Sequence, residues 1–222
     1  MQHPTWQFEA QRRRRLARVL LTTAALLAGG CADILKSAFL RTAPSTETVP
    51  AEFSRLPGKT VLVYVWVRPE IQWAYDKVRL DLANYLSEDL KRNVKGVAVV
   101  DYYQVESYLE KSTSSEIEPA ALGRHFNADM VIHLSVYRLT LRDPGLSQFY
   151  RGRLGASVEV LDLTQRDQPP ERIAMKDVEV TVPEEGPVGW TNVSPIEVRQ
   201  RTYYAFTEQV GRKFHDYQRQ ID

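Results

Sequence analysis

From Lys59 onward the apolar positions fall into runs whose spacing switches between two and three to four, and each switch predicts an element. Thr60-Val61-Leu62-Val63-Tyr64-Val65-Trp66-Val67 is an unbroken β-branched and aromatic run. Such a run predicts a strand covered on both faces, hence a central one. Pro69 ends it. From Gln72 to Asn93 the period becomes helical: Tyr75, Val78, Leu82, Leu86 and Leu90 form one stripe, with charged residues between them. That pattern predicts one amphipathic helix laid on the sheet. Gly96 then precedes a short strand over Val97-Ala98-Val99-Val100-Asp101, followed by a short helix over 102–110. A second helix is expected between Ser115 and Asn127, with Pro119 in its first turn.

The second half reads as a meander. Residues 128–141 predict a long strand whose apolar parity moves from even (Met130, Ile132, Leu134, Val136) to odd (Leu139, Leu141), which implies a bulge near Tyr137. Asp143-Pro144-Gly145 makes the turn, and 149–163 returns with Leu154, Ala156, Val158 and Val160 on one face. A last strand over 172–182 also changes parity, from Ile173 and Met175 to Val178 and Val180. A loop rich in proline and glycine fills 183–195. The closing helix places Ile196, Tyr203, Phe206, Val210, Phe214 and Tyr217 on one stripe. The order β-α-β-α-α-β-β-β-α predicts a single three-layer-like α/β sandwich with a mixed sheet.

Ahead of this domain the pattern is different in kind. Arg12-Arg13-Arg14-Arg15 and Arg18 precede an apolar run from Val19 to Ala28, and Ala28-Gly29-Gly30 lead to Cys31, the one cysteine of the chain. About ten apolar residues fit a signal h-region and fall short of the ~20 that span a bilayer. The segment resembles a bacterial lipoprotein signal, the lipobox. That resemblance implies cleavage before Cys31 and attachment of a diacylglyceryl group and an acyl chain to it, with no other cofactor expected. The adjacent arginines also fit twin-arginine export. Ala32 after the cysteine favours the outer membrane by resemblance to sorting rules.

These readings divide the chain into a signal peptide (1–30), a lipidated cysteine with a flexible tether (31–57) and a periplasmic domain (58–222). The tether contains Thr42-Ala43-Pro44-Ser45-Thr46-Glu47-Thr48-Val49-Pro50, polar and punctuated by proline. As a coil it reaches about 25–30 Å. The domain is therefore expected close to the membrane face.

Charge changes meaning once the signal is removed. The signal carries five arginines and one glutamate of the chain's 29 basic and 28 acidic residues, which leaves 24 against 27 and a net charge of −3. Nucleic acid is not favoured as a partner. With Cys31 consumed by lipid, no thiol remains for a disulfide, a nucleophile or a thiolate metal site.

Residues 97–132 carry a family resemblance. Val97-Ala98-Val99-Val100-Asp101, then Gln104-Val105-Glu106-Ser107-Tyr108-Leu109, then Leu122-Gly123-Arg124-His125-Phe126-Asn127-Ala128-Asp129-Met130-Val131-Ile132 resemble the CsgG and TolB amino-terminal-domain family of envelope proteins. PelC and LpoB are relatives by fold. The resemblance implies an α/β periplasmic domain that works by protein contact, with homo-oligomers possible. It does not imply a pore here, because the hairpin 128–163 carries Arg138, Arg142, Arg151 and Arg153 toward its tip, and a lipid-facing arginine costs ~2–4 kcal/mol at mid-bilayer.

Those four arginines are the sharpest surface candidates. If residue 138 faces 153, all four lie on one face, where they would hold anionic headgroups, a glycan or an acidic partner. Trp190, in Gly186-Pro187-Val188-Gly189-Trp190-Thr191-Asn192, is a second interface candidate. Trp73, Tyr102 and Tyr103 sit near expected strand ends and are read as caps of the core. His125 and His133 lack the acidic neighbours that would complete a zinc site, so no metal is expected. No Gly-x-Ser-x-Gly elbow occurs. The expected function is non-enzymatic: a membrane-anchored lipoprotein that meets envelope proteins in an assembly, secretion or polysaccharide-export machine. The alternative is an auxiliary lipoprotein of an ABC-type lipid transporter.

Overall fold

The computed structural model describes residues 45–112, 117–142, 145, 149–189 and 193–221. Cys31 and Trp190 lie outside them. The chain divides into two compact units: residues 48–217, and a second made of the segments up to Glu47 and from Gln218. In the smaller unit the described residues belong to a two-stranded ribbon of β1 (Ser45–Val49) and β9 (Tyr217–Ile221), where Arg219 pairs with Glu47 at 2.9 Å.

The larger unit is built around β2 (Thr60–Val67), as its unbroken apolar run predicts. β2 lies between two parallel neighbours, β3 (Ala98–Val99) and β4 (Met130–Thr140). Beyond β4 the sheet continues antiparallel through β6 (Gly152–Asp162) and β7 (Glu171–Val182), in the order β3-β2-β4-β6-β7. A separate two-residue ribbon joins β5 (Phe149–Tyr150) to β8 (Val188–Gly189). Both expected parity changes are bulges. One lies between Val136 and Arg138, and the other in β7, opposite the step from Ala156 to Val158. In each strand the extra residue returns the apolar side chains to the covered face.

Helices cover both faces and make three layers, the α/β sandwich expected from the element order. The expected helix over 72–93 is two: α1 (Pro69–Ala74) and α2 (Val78–Asn93). The break at 75–77 is held by Gln72, whose Nε2 donates to the carbonyl of Asp76 at 2.6 Å. Next come α3 (Tyr102–Lys111), capped by Asp101 accepting the Tyr103 N–H at 2.7 Å, and α4 (Pro119–His125), capped by Glu118. α5 (Pro195–Gly211) starts with Ser194 accepting the Glu197 N–H at 3.1 Å. Pro119 and Pro195 open their helices, where a missing N–H removes no helical bond. The larger core packs α2 and α5 against Val61, Val63, Val65 and their neighbours across the sheet. The smaller packs α3 and α4 on Leu62, Tyr64, Val131 and Leu161.

Two expectations about the ends are corrected. The tether does not run to residue 57, because Phe53 and Leu56, the latter fully buried, belong to the larger core, and the Phe53 N–H donates to the Lys213 carbonyl at 2.8 Å. Two isolated apolar residues in a polar stretch carry no period, so the pattern could not distinguish them from linker. The closing stripe is shorter than expected: Ile196 is 58% exposed, α5 ends at Gly211, and Tyr217 begins β9. Tyr203, Phe206 and Val210 do face the core, and Phe214 joins them from beyond the helix.

Candidate functional site

Three of the hairpin's four arginines, Arg138, Arg142 and Arg151, go to separate partners. The bulge at Tyr137 sets Arg138 opposite Gly155 and Thr140 opposite Arg153, two residues from the expected pairing of 138 with 153. A shift of two keeps parity, so Arg138 and Arg153 remain diagonal neighbours on one face. Arg138 pairs with Glu179 on β7 at 3.2 Å. Arg142 donates to the Tyr150 hydroxyl at 3.1 Å and lies over that ring, 5.1 Å from its centroid. Arg151 donates to the carbonyls of Pro183 and Glu184 at 3.3 and 2.7 Å, which fastens the loop after β7. The first is a surface ion pair, and the other two hold the turn end of the hairpin to its surroundings.

The expected core caps are corrected for two of three aromatics. Trp73, on α1, is 86% exposed, and Tyr103, in the first turn of α3, is 62% exposed. Tyr102 packs against the larger core, with the Tyr103 ring 4.5 Å away. A six-residue helix has too few turns to reveal in sequence which face it buries, and here Ile71 is the side chain turned inward.

A constellation that sequence reasoning missed lies on the face covered by α3 and α4. Successive rows of cross-strand neighbours run there through Tyr64, His133, Glu159 and Ala174, and through Trp66, Ser135 and Ser157. The His133 ring stacks on Tyr64, with centroids 5.1 Å apart at 14°. Ser135 Oγ lies 3.3 Å from His133 Nε2, and Glu159 stands 3.8 Å from His133 Nδ1. Arg172 takes Glu159 at 3.1 Å and also holds Glu118, the cap of α4. Alternation of His133 and Ser135 puts both on one face and was readable. The register that brings Glu159 opposite was not.

Serine, histidine and carboxylate in this order have the connectivity of a hydrolytic relay. Main-chain N–H groups inside a strand lie in the sheet plane and are spent on the ladders to β2 and β6, so an oxyanion formed on Ser135 would meet no donor from β4. Glu159, moreover, is committed to Arg172. The row can orient hydroxyl groups and accept hydrogen bonds, which is the chemistry of binding.

The next row closes this region. Tyr137, at the bulge, lays its ring over Gly155 and donates to Glu179 at 3.0 Å. Burial first, and the Glu179 carboxylate second, push its phenol up to about 12. On the opposite face, under α2 and α5, the Tyr203 hydroxyl is buried without a partner. Burial raises both it and the Asp81 carboxyl, while Arg199 opposes both shifts. His125 is far in role from His133: it stacks on Tyr108 at 4.2 Å and meets Phe126 edge-on at 4.8 Å. Among the described residues no three potential ligands converge as a metal site, and no helix is long and apolar enough to cross a membrane.

No protein-family model matches the chain, and no curated protein matches it. Solved structures do. The PelC dodecamer from Paraburkholderia phytofirmans is 11% identical over 77% of this chain and 98% of its own, with a TM-score of 0.44. The hypothetical protein CT253 from Chlamydia trachomatis is 13% identical over 68% and 95%, at 0.41. Lipoprotein GNA1162 from Neisseria meningitidis is 16% identical over 69% and 96%, at 0.39.

Proposed function

We propose that this protein is a lipoprotein fixed at Cys31 to the periplasmic face of the outer membrane, where its domain works by contact with envelope proteins and with further copies of itself. The observation that carries the reading is the apolar run ending in Ala28-Gly29-Gly30-Cys31 behind a cluster of arginines. Each buried CH₂ of the acyl chains contributes about 0.8 kcal/mol, so a diacylglyceryl group with a further acyl chain holds a protein stably to a bilayer. Confinement to a membrane layer raises the concentration of the domain beside any partner in that layer, and this effect is the mechanism. Surface aromatics such as Trp73 and Tyr103 suit an interface, where large rigid side chains are common anchors. The resemblance of residues 97–132 to the CsgG and TolB amino-terminal domains points to an assembly, secretion or polysaccharide-export machine.

Two measurements test the two halves of this reading. A palmitate analogue fed to cells should label the protein and fail to label Cys31→Ala; absence of label on the unaltered protein would end the anchor reading. Crosslinking in whole cells should capture envelope proteins with the anchored form and lose them in Cys31→Ala. If the anchored form crosslinks to no envelope protein and to no second copy, the contact reading is wrong.

A further inference from the structure

Small side chains in the middle of a sheet face leave a depression wherever no helix lies over them. The smaller core centres on the row of Leu62, Val131 and Leu161, with Tyr64 and the partly buried Trp66 at its margin, so α3 and α4 cover one end of β2, β4 and β6. One row beyond Tyr64, the floor consists of Ser135 and Ser157, directly paired across β4 and β6 and each partly exposed. Tyr64, His133 and Glu159 form the wall on one side, and the Tyr137 ring over Gly155 with Glu179 forms the wall on the other. These walls stand two residues to either side of the floor, about 13 Å apart at the strand rise. Trp66 closes the end at β2, and the β7 bulge carrying Lys176 and Asp177 lies at the other end, three strand spacings or about 14 Å away.

Trp66 also lines a cavity of ≈ 190 Å³. Tyr64 and Trp66 line it together with the exposed Trp73, Leu109 from α3 and Ile117 from beyond that helix. Arg79, held to Glu106 at 2.6 Å, lies in the same wall. A volume near 190 Å³ equals about six waters at liquid density. That suits one ring-sized group. Tyr64 and Trp66 are common to the trough and the cavity.

We propose that this trough binds a short stretch of a neutral glycan, with pyranose rings lying along the serine floor and one ring entering the cavity beside Trp66 and Trp73. The chemistry fits sugar on three counts. Two serine hydroxyls both donate and accept, as vicinal ring hydroxyls do. The indoles and the Tyr137 ring offer flat apolar faces to the C–H faces of a pyranose, with polar groups at their rims. Glu159 and Glu179 can accept from sugar hydroxyls, but each is already neutralised, by Arg172 and Arg138, so the site selects for no charge. A hydrogen bond between Ser135 Oγ and His133 Nε2, 3.3 Å long, ties the floor to its wall. The inference stands on the sheet face and does not depend on the anchor at Cys31.

The test is a titration of the whole protein in detergent with two probes, the tetramer of N-acetylglucosamine and the tetramer of glucose, read by calorimetry and by saturation transfer from protein to sugar. At least one should bind saturably. Ser135→Val and Ser157→Val place methyl groups where the hydroxyls stood, and a strand accommodates valine well, so both should keep the thermal midpoint and weaken binding at least about tenfold. Failure of both sugars to bind at millimolar concentration overturns the proposal. So does binding that survives both valine variants unchanged, because the sugar would then sit elsewhere.

Discussion

A Cβ built on Gly155 would stand 2.8 Å from Cε2 of Tyr137 and 3.1 Å from Cζ, because the tyrosine ring lies flat across the neighbouring strand at that point. The bulge between Val136 and Arg138 makes this possible: it gives β4 one residue more than β6, so Tyr137, on the face of His133 and Ser135, and Arg138 both stand at Gly155. Glycine is needed there for space, since Gly155 is not among the positions with positive φ.

Gly155→Ala should therefore displace the Tyr137 ring and strain or break its bond to Glu179. Overpacking of this kind costs about 1–3 kcal/mol, and chemical denaturation will measure it. Combining Gly155→Ala with Tyr137→Ala should recover most of the loss. A double variant as unstable as the sum of the two singles would show that the two side chains do not compete for space.

Tyr137 also predicts how stability responds to alkali. Its phenol is raised from the ordinary value near 10 to about 12, first by burial and then by the Glu179 carboxylate. A group raised on folding contributes its full stability below the unfolded pKa and loses it as pH climbs through the folded one. The loss should fall between pH 10 and about 12. Unfolding midpoints measured across that window should drop less steeply in Tyr137→Phe, which has no proton to lose. Equal slopes in the two proteins would place the sensitivity on another tyrosine.

The end of the expected tether is open to a simple test. Leu56 is fully buried among the larger core, so Leu56→Ala should cost about 2–5 kcal/mol. Trimming the chain to residue 50 should leave that core intact, whereas trimming to 57 removes Phe53 and Leu56 together. Thermal melts of the two truncations would separate them, and identical midpoints would return these residues to the linker.

Much of the fold was legible because its strongest signals are periodic. The apolar run Thr60–Val67 announced the central strand, and the parity changes in 128–141 and 172–182 announced both bulges. Phe53 and Leu56 were illegible because two buried residues in a polar stretch define no period. Trp73 was misread because large aromatics are usually buried, and one turn of helix gives no second position to decide its face. The candidate site was illegible for a further reason. His133, Ser135 and Tyr137 alternate visibly, but Glu159 and Ser157 join them only through a register that a bulge shifts, and register is a property of the paired strands.

Lys213 supplies a prediction about charge. Its side chain is among the few buried polar groups, 6% exposed as a residue, and its ammonium meets Glu52 at 3.0 and 3.3 Å. The pair lies in the wall of a cleft of ≈ 590 Å³ with Gln209, Arg212 and Tyr217. Removing one partner of a buried pair leaves the other charge without compensation, while replacing the cation by an apolar side chain of similar length avoids that penalty. Glu52 is about half exposed, so water moderates the effect. Glu52→Gln should destabilise by about 1–2 kcal/mol, below the range for a fully buried pair, and Lys213→Met should be neutral within about 1 kcal/mol. Denaturant midpoints of the two variants decide it. If Lys213→Met is the more damaging of the two, the lysine matters for a contact other than Glu52, and the Glu52 pair is then only a neighbour on the cleft wall.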